Sequence, residues 1–67
     1  MYEIAKNIKR LRKERGIKQR ELEKMIGVSN RNISKWERGV VTPSLYALVK
    51  LTKVFECTLD ELVFGKE

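Results

Sequence analysis

With 67 residues, fifteen of them Lys or Arg and nine Asp or Glu, the chain has a net charge of +6, one cysteine and no histidine. A chain this short buries only about 60% of the surface its unfolded form exposes, so a single domain, residues 1–67, with one core is expected. The lone Cys57 and the missing His exclude an internal disulfide and the usual zinc sets and suit a reducing cytoplasm; no run nears the roughly 20 apolar residues of a membrane span, and charges in MYEIAKNIKR stand where a signal peptide is apolar.

The first helix is expected from about Tyr2 to Arg15. Ile4, Ile8 and Leu11 recur at helical spacing, Gly16 fits a C-terminal cap, and Lys13 and Arg15 suit the negative end of the helix dipole. Ile17 restarts the apolar pattern, and a second helix opens at Lys18 or Gln19, with Leu22 and Ile26 on one face. Gly27 breaks that pattern. Ser29 is placed to accept the free N–H groups of a third helix, which starts at Asn30 and runs to Arg38. At about 100° per residue, Asn30, Arg31, Ser34, Lys35 and Arg38 fall within roughly 140° of one another, while Ile33 and Trp36 point the other way. Gly39 closes this helix. Thr42 is the expected cap and Pro43 the first-turn residue of a fourth helix reaching Phe55, with Leu45, Leu48, Leu51 and Phe55 as its core stripe. Thr58 caps a last short helix, with Asp60 and Glu61 at its positive end and Leu59, Leu62 and Val63 turned inward. No strand period, repeat or linker is visible, so the fold class is all-α.

The polar face of the third helix has the chemistry of a base reader, since Arg and Lys donate to guanine and Asn pairs with adenine in the major groove. Two helices joined by a Gly-containing turn over residues 19–38 form the pattern of a helix-turn-helix. Charge placement agrees. Between Lys6 and Arg38 twelve basic residues meet four acidic ones, whereas from Gly39 onward three meet four. A basic half that coincides with the motif favours a polyanion partner over a merely solvated face. Trp36 belongs to the apolar stripe and is read as core, although a stacking role for bases is conceivable chemistry; Cys57, small and apolar, is read as an inert core residue instead of a redox switch. With no His, no Gly-rich phosphate loop and no clustered carboxylates, the chain lacks the parts of a catalytic site.

The stretch KQRELEKMIGVSNRNISKWERG, followed by TPSLYALVKLTKVFECTLDELV, resembles the Cro/CI-type (lambda-repressor-like) DNA-binding domains over residues 8–63. That resemblance implies a five-helix domain with its third helix in the major groove, acting as a homodimer on a two-fold symmetric operator in double-stranded DNA. It implies a transcriptional regulator, with repression expected because a bound dimer blocks a promoter by occupying it. Carried over by position, Asn30, Arg31 and Lys35, with Ser34 beside them, become base readers. Gln19, Ser29, Arg38, Thr42 and Ser44 become phosphate contacts, and a helix N-terminus at Gln19 is a natural anion site in its own right. Arg12 and Glu37 flank buried stripes and are expected to pair, as an Arg and a Glu often do in the family. Tyr46, Val49, Val63 and Phe64 form a candidate dimer seam; Met25, like Tyr46 and Phe64, fits no core stripe. Two residues depart from the family pattern. Glu23 replaces a small Ala and is expected to bend outward, and Glu56 replaces a helix-ending Gly or Asn, so an irregular turn is expected there. The alternative function is an antitoxin or protein-interaction module with autoregulatory DNA binding, which would need an extra partner-binding segment. No cofactor, metal, small-molecule ligand or membrane partner is expected.

Overall fold

The computed structural model describes residues 3–28 and 31–65. Five helices follow one another: α1 (Ile4–Glu14), α2 (Gln19–Ile26), α3 (Asn32–Glu37), α4 (Leu45–Phe55) and α5 (Leu59–Phe64). Each gives at least one fully buried side chain to a single core, in Ile8, Leu22, Ile33, Leu51, Phe55 and Leu62, with Leu11, Ile26, Trp36, Ala47 and Leu48 around them. The first helix packs on α3 and α5, while α2 packs on α3 and α4. The third helix is thus cradled from behind, and its outer side is free.

Local chemistry sets the ends of the helices. Thr58 and Glu61 exchange bonds, the Thr58 Oγ1 accepting from the Glu61 N–H at 3.1 Å and the Glu61 carboxylate accepting from the Thr58 N–H at 2.8 Å, which satisfies two otherwise orphaned donors. At α4 the expectation fails by two residues: the cap is Ser44, not Thr42, its Oγ accepting from the Ala47 N–H at 3.2 Å, and Pro43 lies before the helix, buried. Two leucines also fall outside the core. Leu45 is 66% and Leu59 39% exposed. Leu45 shares a three-residue spacing with Leu48 but lies about 100° from the middle of the buried face, where Ala47 takes the inner place. Val63 is half-buried.

Asn7 was not anticipated. It is buried on α1 between Ile4 and Leu11, on the helical stripe that those residues define, and its Nδ2 donates to the Leu62 carbonyl at 2.9 Å. Beside it the Glu3 N–H donates to the Val63 carbonyl at 2.9 Å. Together these bonds seam α1 to α5.

Glu56 ends α4 in a regular left-handed turn, with φ at 55° and Thr52 as acceptor for both its own N–H and that of Cys57. The expected irregularity is therefore absent, and a residue with a Cβ bears the conformation instead. Such a residue costs roughly 1–2 kcal/mol there, against roughly 0.5–1 kcal/mol of extra entropy that Gly loses on folding. Glu56→Gly is expected to stabilise the domain by up to about 1 kcal/mol; a melting temperature at or below that of the parent chain would count against this reading.

Candidate nucleic-acid interface

The third helix owes its orientation to what lies behind and beneath it. Ile33 and Trp36 are buried, so Trp36 is a core residue, while Arg31, Lys35 and Arg38 are exposed and Ser34 is partly so. Arg31 stands at φ 63°, in the left-handed region, and cannot continue a right-handed helix. The helix expected from Asn30 to Arg38 is accordingly shorter, running from Asn32 to Glu37 with Arg31 just ahead of it. Asn30 and Ser29, the expected base reader and cap, lie outside the described residues. At the other end Arg38 Nε donates to Ser34 Oγ at 3.2 Å, which holds these two side chains along one edge of the helix.

Beneath α3 a polar joint ties three helices together. Arg12 of α1 donates from Nε to Glu37 Oε2 at 2.6 Å and from Nη2 to Oε1 at 3.1 Å. Its Nη1 donates to the Ile17 carbonyl in the α1–α2 link at 2.8 Å. Gln19, the first residue of α2, donates from Nε2 to Glu37 Oε1 at 3.0 Å. The pair is nearly closed to solvent, with side-chain exposures of 11% for Arg12 and 3% for Glu37. A two-pronged guanidinium–carboxylate contact fixes direction as well as distance, so the last residue of α3 is locked to α1, and the Gln19 bond ties it to the first residue of α2 as well. Sequence spacing does not announce the Gln19 bond, since its partners are eighteen residues apart on different helices.

Gln19 is therefore held in place while one amide hydrogen and the N-terminal backbone of α2 remain for a ligand. The Glu21 carboxylate accepts from the Lys18 N–H at 2.8 Å, closing the turn just before that helix, and Arg20 is exposed beside it. Glu37 is turned inward, so it does not oppose the exposed bases of α3. Thr42 and Ser44 are exposed on the link beyond α3, the Ser44 hydroxyl being engaged as a cap. Val40 and Val41 are exposed on the same link, whose fold back over α3 is fixed by the Val40 N–H donating to the Lys35 carbonyl at 3.0 Å.

The remaining expectations fall elsewhere on the surface. Tyr46 and Val49 are exposed one turn apart on α4, and Phe64 is exposed at the end of α5 beside half-buried Val63. Met25 is exposed on α2, and Glu23 is partly exposed there. Cys57 packs against the core; burial first, then the Glu61 carboxylate, pushes its thiol up from the ordinary value.

Residues 8–62 match a family described as helix-turn-helix. The chain is 40% identical over 62 residues to the repressor protein C2 of Salmonella phage P22, covering 92% of this chain and 29% of that protein. It is 35% identical over 65 residues to the transcriptional activator BcrR of Enterococcus faecalis, covering 97% of this chain and 32% of that one. It thus spans about a third of the length of each of these curated relatives. Among solved structures, the crystal structure of the P22 c2 repressor in complex with a synthetic operator superposes with a TM-score of 0.87 at 40% identity, over 94% of this chain and 96% of that chain.

Proposed function

The chain belongs to the helix-turn-helix family, of the Cro/CI type, and from that premise we propose that it binds a specific sequence of double-stranded DNA with α3 in the major groove and so regulates transcription, as a repressor. One observation carries this reading: a six-residue helix is anchored on its inner side by Ile33, Trp36 and Glu37 while Arg31, Lys35 and Arg38 stand exposed on its outer side. The repressor that superposes on this chain was crystallised on an operator. Arg31 and Lys35 read base edges, joined by Asn30 and Ser34. Gln19, Arg38 and the Thr42 to Ser44 link hold phosphates on either side of the groove, with Ser29 next to the reading segment. The work is binding, with no catalytic step. No helix among the described residues is long and apolar enough to cross a membrane; a DNA partner is reached in the cytoplasm, which supports that location.

Selection of bound sequences from random DNA, followed by competition titrations on single-base variants, tests this directly. Arg31→Ala or Lys35→Ala should cost about 1–3 kcal/mol on the best site and flatten preference at particular base pairs, whereas Gln19→Ala should weaken all sequences alike. A Gln19→Ala variant that reshapes the preference while Arg31→Ala leaves it intact would sink the placement of α3.

So small a reader makes few base contacts, so two copies are expected on half-sites about one helical turn apart, meeting through Tyr46, Val49, Val63 and Phe64. Sedimentation of the DNA complex should give two subunits per site. One subunit per site at saturating protein would rule the dimer out.

A further inference from the structure

Lys50 of α4 reaches across to the far end of α2. Its Nζ donates to the Ile26 carbonyl at 3.1 Å, rests 4.6 Å from the centre of the Tyr46 ring, and lies 3.8 Å from where a side chain on Gly27 would begin. Ile26 is the last residue of α2, and Gly27 is its left-handed cap at φ 77°. The closing carbonyls of a helix have no partner within it and carry the negative end of the dipole, so an ammonium held there satisfies both needs.

This contact sits where the chain departs toward the reading helix. Only residues 27–31 separate Ile26 from Asn32, the first residue of α3. At fewer than two turns, α3 is far below the roughly 12–15 residues at which an isolated helix becomes even marginally stable. Its attitude must come from its surroundings: from Ile33 and Trp36 in the core, from Glu37 held by Arg12 and Gln19 at one end, and from whatever fixes the connection at the other. The Gly27 and Val28 N–H groups both donate to the Glu23 carbonyl, which defines the turn, and Val28 packs partly buried against the core. The Lys50 bond adds a directional tie from this turn to α4.

We propose that Lys50 is a positioning residue for base reading, clamping the Ile26–Gly27 peptide to α4 and so fixing the point and direction from which the chain leaves α2 on its way to Arg31, without touching DNA itself. The proposal rests on the DNA-reading function inferred above. Like Arg12, and unlike the exposed Arg31, Lys35 and Arg38, Lys50 spends its charge inside the fold, here on a helix end and an aromatic ring.

The test uses the full chain with Lys50→Met, which keeps the stem and removes the donor, and Lys50→Arg, which keeps a donor and a charge. Competition titrations on the selected site, its single-base variants and random DNA are run across a salt series, with backbone amide exchange measured on the free protein. In Lys50→Met, discrimination at the base pairs lost in Arg31→Ala should fall about tenfold, the scale of one base contact. Affinity for random DNA and the slope of log affinity against log salt should stay at parent values, and Lys50→Arg should recover most of the discrimination. The Gly27 and Val28 amides should exchange faster without the clamp. Unchanged discrimination in Lys50→Met overturns the proposal. So does a salt slope reduced by about 0.9, which marks a lost phosphate contact, and so does a variant that fails to fold, which would make Lys50 a general structural residue. A parent chain that itself shows no sequence preference would overturn the DNA-reading function instead, and amide exchange at Gly27 and Val28 would then decide the clamp alone.

Discussion

Arg12→Ala is expected to melt far below Lys13→Ala, although the two residues are neighbours on one helix. Lys13 is exposed, and removal of a surface charge usually shifts stability by no more than about 0.5 kcal/mol. Arg12 is different in kind. Its removal strands the Glu37 carboxylate, 3% exposed, and orphans the Ile17 carbonyl that Nη1 serves. An uncompensated charge at such a site costs about 3–5 kcal/mol, and in a domain this small each kcal/mol is worth roughly 4–8 °C, so the melting temperature should fall by on the order of 15 °C or more. Gln19 would remain as one partner for Glu37, which sets the loss toward the lower part of that range. Because the pair's worth lies in its mutual compensation, Arg12→Met with Glu37→Leu should regain much of the stability lost in the single variant. DNA affinity should return only in part, since in the double variant neither Arg12 nor Gln19 holds the end of α3, whereas in Gln19→Ala the two Arg12 bonds remain. Equal melting temperatures for Arg12→Ala and Lys13→Ala would leave the joint without energetic meaning.

Binding to the selected operator should also collapse with salt. The exposed bases of the motif half, Arg20, Arg31, Lys35 and Arg38 among them, face a partner whose condensed counterions are released on contact. If about three phosphates are neutralised by each of two subunits, the slope of log affinity against log salt is about −5, and affinity falls roughly a thousandfold between 50 and 200 mM salt. Fluorescence anisotropy on a labelled operator across that range measures it. A flat response, or equal affinity for operator and random DNA, would remove the basis for the proposed function.

Much of the core was legible because it repeats. Ile8, Leu11, Leu22, Ile26, Ile33, Trp36, Leu48, Leu51, Phe55 and Leu62 sit at helical spacings, and periodicity reads burial directly. It misled at Leu45 and Leu59, each the first residue after a capping side chain, where identity suggested core and angle decided otherwise. Asn7 was on the buried stripe and could have been found by asking what polar residue fills a gap between Ile4 and Leu11. The exposed bases of α3 were visible as chemistry. The left-handed Arg31 was not, because arginine carries no signal for that conformation as Gly or Asn would. Nor were the bonds from Gln19 to Glu37 and from Lys50 to Ile26, since contacts between helices distant in sequence leave no mark on local spacing.

At one end of α1 Glu3 is bonded to Val63, and toward the other Arg12 grips Glu37; at 1.5 Å per residue these two attachments are about 13 Å apart. Glu3 and Val63, which lie near opposite ends of the sequence, therefore share one edge, and α1 is the rigid strut between that edge and the reading helix. A load that pulls Glu3 and Val63 apart is taken first by the bonds that seam α1 to α5, at Glu3 and Asn7, which can yield one after the other before the joint at Glu37 has to give way.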